Sequence, residues 1–315
     1  MRQRFSREFS TGAALALLLA ILAIAAPAFF RLSNLRELLV NNAAMLVVAI
    51  GMTLVILAGH IDISIGSQFA IASVITGVLA KDGLPVPAAA LGGVLAAGLL
   101  GSINGVLVAG LGIPSIVVTL ASMIGLRNCL RWVTEGRWVQ DLPLNFQWAG
   151  LGQAGGEALI LFTAALVFAV FAWASANLQA MRMLYAAGSN PEAARLAGIR
   201  PPRVFFGVFV AMGLLTGLAA ALNAIRFSEV QGNAGVGLEM QAIAAVVVGG
   251  ASITGGRATM VGTLLGVLLL AAIGPALTFA GISAFWEKAI QGSIILAAVM
   301  MDARGKRRVH VAATP

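Results

Sequence analysis

A chain of 315 residues that is 60% hydrophobic and only 10% charged falls far below the roughly 25% charge of soluble domains. Its polar gaps reach only about 25 residues, which excludes an inserted soluble domain, while apolar runs of 18 or more residues recur, each long enough to cross a hydrocarbon core about 30 Å thick. With one Cys and two His, at 60 and 310, an internal disulfide and a Cys-based metal site are excluded, and no metal or catalytic metal constellation is expected.

Long Leu/Ala/Val/Gly runs with a single Tyr indicate an all-α polytopic membrane protein rather than a β-barrel of short alternating strands. The 37 glycines suit close helix–helix approach in lipid, where small residues let backbones meet. The N-terminus, MRQRFSREFS, is basic and leads into an apolar stretch that continues to Phe30; it is read as a retained first span rather than a cleaved signal. Ten apolar segments follow in order: 11–30, 34–59, 66–80, 85–111, 113–133, 157–176, 204–225, 239–254, 258–280 and 284–301. The third and eighth are short and flanked by Gly, so eight to ten transmembrane helices are expected in one domain covering 1–315.

Charge orients these segments. With the N-terminus inside, the inner segments hold 12 of the 20 basic residues against four acids, while the outer side holds eight of each. This is the positive-inside pattern. The formal net charge of +8 is thereby explained by topology without nucleic acid, both termini are placed in the cytoplasm, and the 177–203 loop becomes cytoplasmic.

The outer segment 134–156 carries Trp138, Phe146 and Trp148 around Pro143 and reads as an interfacial lid or re-entrant segment with aromatics at headgroup level. Segment 226–238, RFSEVQGNAGVGL, reads as Gly-rich and flexible. A weak internal repeat pairs LAGHIDISIGSQFAIASVITGVLA (57–80) with VVGGASITGGRATMVGTLLGVLLLA (247–271); duplication and shared composition both account for it. Irregular turns of this kind belong where they are buried in protein or line a cavity, and paired Gly-interrupted spans point to a translocation pathway.

Tyr185–Arg203 is the strongest polar segment. Asn190 suits an N-cap, Pro191 the first helical position, and Glu192 the first turn. Gly198 closes the helix and Pro201-Pro202 prevents its resumption. A helix of about seven residues is too short to persist alone, so neighbours must hold it; it reads as a docking element or as an ordinary cytoplasmic loop.

Chemical machinery is absent from the pattern. No GK[ST]-ended loop cradles phosphates, and HExxH and GxSxG do not occur. An ion-coupled carrier buries ionisable residues within its spans, whereas charges here cluster at span ends, with Asp62 the exception. A transporter of this kind needs energy from a partner, which gives the docking helix its purpose.

Four stretches, GHIDISIGS (59–67), GIPSIVVTL (112–120), AAGSNPEAARLAGI (186–199) and GLEMQAIAAVVVGGASITGGR (237–257), together resemble the permeases of bacterial ABC sugar importers. These form the ribose/xylose/rhamnose and autoinducer-2 group, related to branched-chain amino-acid permeases. TEGRWVQDLP (134–143) and GLEMQAIAA (237–245) are most similar to the autoinducer-2 and rhamnose branch, whereas His60 departs from a family that usually shows a second Gly there. The resemblance implies a non-enzymatic inner-membrane permease that needs no cofactor of its own. It would pair with a second copy or a paralogue, with an ATP-binding ATPase subunit, and with a periplasmic solute-binding protein.

It also implies a coupling helix formed by Gly188, Asn190, Pro191, Glu192, Ala193, Ala194, Arg195, Leu196 and Gly198. Arg195, Arg200 and Arg203 would pair with the ATPase or with lipid phosphates. The candidate pathway residues are Asp62, Ser64, Ser67, Asn104 and Asn223, for which helix capping and helix bridging are the competing roles. Arg127 and Arg131 are expected to snorkel to the outer interface, with docking of the binding protein the lesser reading; Glu229 and Glu239 are expected to flank the outer loop, placed to meet that same partner, and Cys129 to be a small buried apolar residue. A stand-alone secondary carrier is the alternative function.

Overall fold

In the computed structural model the backbone is described for residues 2–279 and a few further positions as far as Leu296, with side chains from Glu8 onward. Most of the tenth expected segment, 284–301, and the basic tail with Arg304, Lys306, Arg307 and Arg308 lie outside the described residues. The described helices run in the order α1 (Arg2–Ala25), α2 (Leu32–Leu57), α3 (Ile65–Lys81), α4 (Val86–Gly105), α5 (Ser115–Thr134), α6 (Gly152–Asn177), α7 (Gln179–Ser189), α8 (Pro191–Leu196), α9 (Pro201–Ala224), α10 (Leu238–Val248) and α11 (Met260–Phe279). A wider π-helical turn, Val106–Gly110, extends α4.

Among the described residues, seven stretches are long and apolar enough to cross a membrane: Glu8–Ala25, Leu32–Leu57, Val86–Gly110, Ser115–Thr134, Gly152–Asn177, Pro201–Ala224 and Met260–Phe279. The 17 residues of α3 and the 11 of α10 reach only about 25 and 16 Å at 1.5 Å per residue. These two account for the short third and eighth segments of the sequence, and an all-α polytopic membrane fold follows. Pro201-Pro202 does more than stop the preceding helix: it opens α9 at the first two helical positions, where the missing N–H groups cost nothing.

The core gathers α2, α3, α4 and α9, with α10 and α11 laid against α2. Because lipid tails are as apolar as Leu, hydrophobicity does not drive helices together here; close packing of backbones does. Gly93, Ala97, Gly101 and Gly105 recur every fourth residue along α4, and Phe209, Gly213 and Gly217 answer them on α9. A methyl group on Gly101 would overlap the Phe209 carbonyl, and one on Gly213 would overlap the carbonyl of Ala97. The same device joins α10 to α11, where Gly249 faces Gly262 and Ala245 faces Gly266. By contrast α5 and α6 are mostly exposed along their spans, leaving apolar surface for lipid or for another chain.

The sequence repeat has a structural counterpart. Helix α2 ends with Ala58, Gly59 and His60 donating backbone N–H bonds to Leu54, Ile56 and Val55. Helix α10 ends with Gly249, Gly250 and Ala251 donating in the same pattern to Ala245, Val247 and Val246. In each cap the glycine, Gly59 or Gly250, takes a left-handed φ of 80° or 100°, the Schellman arrangement that satisfies the last carbonyls. Each is followed by a polar turn and another helix, so both halves of the repeat fold alike locally.

Gly101→Leu is expected to cost at least the roughly 1–3 kcal/mol typical of overpacking, because backbone rather than a flexible side chain stands in the way. Gly207→Leu, whose added carbon meets nothing within 4 Å, serves as the control. Thermal unfolding of the two variants in detergent should separate them, with only Gly101→Leu melting early.

Candidate coupling surface and buried polar cluster

The segment 177–203 is a pair of helices bent at Asn190. Helix α7 is amphipathic and was not anticipated: Met181, Leu184, Ala187 and Gly188 lie on its buried face, while Arg182 is exposed. Asn190 caps α8 as expected, its Oδ1 accepting from the backbone N–H groups of Glu192 and Ala193 at 3.0 Å each. At the other end Gly198 has a φ of 80°, and Ile199 donates back to the Ala194 carbonyl at 3.0 Å. Only Ala194 of α8 is buried; Pro191, Glu192, Ala193, Arg195 and Leu196 are exposed, Leu196 at 92%. A leucine so fully exposed beside a carboxylate and a guanidinium forms an amphipathic knob.

What fixes the end of α7, from which α8 springs, is backbone contact. A Cβ on Gly188 would overlap the Leu57 carbonyl at the end of α2. Gly256 donates its N–H to that same carbonyl at 2.9 Å, and added bulk on Gly255 would press on the Gly188 carbonyl at 2.6 Å and the Gly59 nitrogen at 2.8 Å. Tyr185 donates its hydroxyl to the Ala258 carbonyl at 2.9 Å. The end of α2, the α10–α11 hairpin and the end of α7 therefore meet at one three-way junction made largely of backbone and braced by the Tyr185 side chain. Arg200 and Arg203 are exposed nearby, as is Arg195.

Four of the five expected pathway residues come together behind α5. Asp62, Ser64 and Asn104 are fully or almost fully buried, as is Gln68, which the sequence reading passed over. Asp62 Oδ1 accepts from the Ser64 backbone N–H at 2.9 Å and from the Ser64 hydroxyl at 2.6 Å. Ser64 Oγ in turn accepts from Gln68 Nε2 at 2.7 Å and Asn104 Nδ2 at 2.9 Å. Ser122 of α5 donates to Asn104 Oδ1 at 2.6 Å, and Ser67 donates to the Met123 carbonyl at 2.8 Å. Asn104 thus bridges helices with both ends of its amide. Ser64 stands at the N-cap position of α3 without a capping bond, its hydroxyl turned into the network instead. Asp62 Oδ2 and Gln68 Oε1 have no hydrogen-bond partner. Gln68 follows Ser64 by one helical turn, the spacing that places them on one face, and that was the available signal for it.

Several outer residues face differently from the sequence expectation. Arg127 Nη2 is buried, and so is Glu239 Oε2; both lack hydrogen-bond partners, and both stand close to where a Cβ on Gly66 would lie. Arg127 therefore turns inward rather than snorkelling, and Glu239 does not sit on the outer surface, whereas Arg131 is exposed. Cys129 is exposed as well, because α5 has few neighbours within one chain and leaves that side open. His60 stacks edge-on against Phe205 with ring centroids 4.6 Å apart and wedges the end of α2 against α9.

Segment 226–238 is packed rather than free. Val230 and Val139 exchange backbone hydrogen bonds of 2.9 and 3.0 Å, and Gly235 presses its backbone onto Gly66. In the lid, Phe146 is buried at 1% exposure and anchors the segment, so it is not a headgroup aromatic; Trp138 remains half exposed. Between this lid side and the core opens a cavity of about 350 Å³, bordered by α2, α3, α9, α10 and segment 226–238. Asn223, the fifth expected pathway residue, lines this cavity together with Phe69 and Ser73 of α3, apart from the Asp62 cluster. Among the described residues no group of three His, Cys, Asp or Glu side chains is placed to hold a metal ion.

The chain was compared with known proteins. The family model of the branched-chain amino acid transport system permease component matches residues 34–299. Similar relatives include the ribose import permease protein RbsC of Escherichia coli K12, 34% identical over 92% of this chain and 91% of the relative. The autoinducer 2 import system permease protein LsrC of Photorhabdus luminescens is 32% identical over 95% and 90%. Haemophilus influenzae RbsC is 34% identical over 95% and 94%. The rhamnose side of the expectation has no counterpart among these relatives, and no solved structure matches significantly. A match of that extent, on a fold of apolar spans joined by Gly-bounded turns, makes this chain a member of the permease family of branched-chain amino-acid-type transport systems.

Proposed function

We propose that this chain is the membrane-spanning permease subunit of an ATP-driven importer, carrying a monosaccharide or similar small polyhydroxylated solute into the cytoplasm. The ribose and autoinducer-2 importers named among its relatives support that solute class. The observation that carries the mechanism is the exposed knob of α8, which follows directly on an α7 end fastened by backbone contacts to α2 and the α10–α11 hairpin. A separate ATPase subunit seats Glu192, Arg195 and Leu196; its ATP-driven closure moves that seat, and the junction passes the motion to the spans. The whole of 1–315 acts as one permease domain in the bacterial inner membrane, termini inside, alongside a second copy or paralogue, and receives solute from a periplasmic binding protein. Catalysis on the solute has no place in this scheme.

The Asp62 cluster supplies the pathway wall. Helix α5 touches the core sparsely and is tied to it by the Ser67–Met123 and Ser122–Asn104 bonds. When α5 moves, the unpartnered oxygens of Asp62 and Gln68 become acceptors for solute hydroxyls. A stand-alone secondary carrier is disfavoured by family membership, and accumulation driven by an ion gradient in liposomes of this chain alone is the result that would restore it.

Leu196→Glu leaves the fold intact, since the side chain is 92% exposed, and should weaken ATPase binding and abolish uptake. Co-purification of the ATPase with the variant measures this, and undiminished capture with normal uptake contradicts the docking role. The harsher double change Ala194→Glu with Gly198→Pro should leave ATP hydrolysis running without transport.

Gln68→Leu removes a buried unpartnered oxygen at the cost of one hydrogen bond, so stability should change by no more than about 1 kcal/mol. Uptake should nevertheless fall about tenfold if that oxygen receives a solute hydroxyl worth ~1.4 kcal/mol. Initial uptake rates and melting temperatures on the same preparation test it; a lower melting temperature with unchanged uptake would assign Gln68 to structure alone.

A further inference from the structure

Three pairs of opposite charge among the described residues close into salt bridges: Lys81 with Asp141 at 3.4 Å, Arg137 with Glu135 at 2.8 Å, and Arg36 with Glu157. Arg127 of α5 and Glu239 of α10 do not, although both stand where an unpaired charge is costly. Glu239 is 7% exposed and Arg127 is half-buried. The tips of the two side chains, Nη2 and Oε2, are buried without a hydrogen-bond partner. The coupling scheme gives neither residue a role.

The two tips face one gap. A Cβ on Gly66 of α3 would lie 3.2 Å from Arg127 Nη2 and 2.5 Å from Glu239 Oε2, so the side chain that Gly66 lacks leaves open the space between guanidinium and carboxylate. The elements that carry them are fastened differently. Glu239 stands in the first turn of α10, which is seamed to α11 and belongs to the hairpin that meets the end of α7. Just before it the Gly235 backbone presses on Gly66, so the start of α10 has no room to advance toward α3. Arg127 stands one turn beyond Met123, whose carbonyl accepts the Ser67 hydroxyl, on a helix tied to the core by a few side-chain hydrogen bonds. Of the two, α5 is the more loosely held partner.

We propose that Arg127 and Glu239 are a charge latch, open in this structure, that closes across Gly66 when the ATPase closes and holds α5 in its second position. The inference rests on the importer reading above and assigns that cycle two further residues. Closure exchanges the Ser67–Met123 hydrogen bond for an ion pair in a buried place, where opposite charges attract more strongly than in water. Pairing also removes the penalty of two buried charges left apart. Movement of α5 thereby gains a favourable end point, and reopening separates the charges again.

The test uses the complete importer, with its ATPase and binding protein, in a Cys129→Ser background that removes the chain's one cysteine. Spin labels on Asn128→Cys of α5 and Met240→Cys of α10, exposed neighbours of the pair, report their separation without nucleotide and with the ATPase trapped closed. Trapping should shorten that distance. Arg127→Gln combined with Glu239→Gln should abolish the shortening, and the exchange of Arg127→Glu with Glu239→Arg should restore it. ATP-dependent uptake of labelled ribose should fall about tenfold in the neutral variant, the lower end for close charge pairs. Its melting temperature should hold, because no bond between the two is lost. A distance that trapping leaves unchanged or lengthens, or that shortens equally in the neutral variant, overturns the latch. So does a melting temperature that falls together with uptake and is not recovered by the exchange, which would make the pair structural. Each of those results leaves the importer reading standing; it falls instead if the wild-type chain moves the sugar in liposomes without the ATPase.

Discussion

The fold turns on a place where three stretches of bare backbone touch. Leu57 at the end of α2, Gly188 at the end of α7 and Gly255–Gly256 in the α10–α11 hairpin approach so closely that a single methyl group at any of the glycines would force them apart. Side chains bend and change rotamer, so contacts made through them yield under load. Contacts between backbones do not yield by rotamer change, and in a close-packed interior the helices that carry them must shift as a whole to relieve a clash. A helix of six residues, far too short to be stable in water, follows directly on the end of α7 that is held this way against two separate spans. Movement imposed on α8 is movement imposed on α2 and on the hairpin.

Around that junction the molecule divides by packing. Glycine and alanine seams lock α4 to α9 and α10 to α11. Helix α5 is attached differently, by a few side-chain hydrogen bonds involving Ser67, Ser115, Thr119 and Ser122. Such bonds are each worth only about 0.5–1.5 kcal/mol net and exchange readily. A rigid core beside a lightly tethered helix, with a buried polar cluster trapped between them, is the arrangement alternating access requires. The two matching Schellman caps at Gly59 and Gly250 show that the cluster's turn and the junction's hairpin are built on one local plan.

Much of this was legible from the residues, and the division follows the range of the physics. Capping is local, so Asn190 and Gly198 could be read from four or five neighbours, and the structure keeps both roles. Span length is local too, and the short third and eighth segments became the short helices α3 and α10. Helix α7 was hidden because polar Gln179 and Arg182 break up a stripe whose small members, Ala187 and Gly188, register weakly as apolar. The direction a side chain faces is tertiary. Arg127 and Glu239 turn inward toward Gly66, and Cys129 turns outward, because of where α5 and segment 226–238 lie. Segment 226–238 illustrates the same limit: glycine suggests freedom in a sequence, but Gly235 serves close approach to Gly66.

The central claim is that α8 and the α10–α11 hairpin form one rigid body. A direct measurement places spin labels on Leu196→Cys and Arg257→Cys in a Cys129→Ser background of the assembled importer. Pulsed electron paramagnetic resonance then records the distance between them without nucleotide and with the ATPase trapped in its closed state. The account predicts a narrow distribution whose mean is the same in both states, while a reference pair from α8 to the exposed face of α5 changes. A distribution that broadens or shifts between Leu196 and Arg257 on trapping would contradict the account, because the junction would then be absorbing the stroke rather than transmitting it.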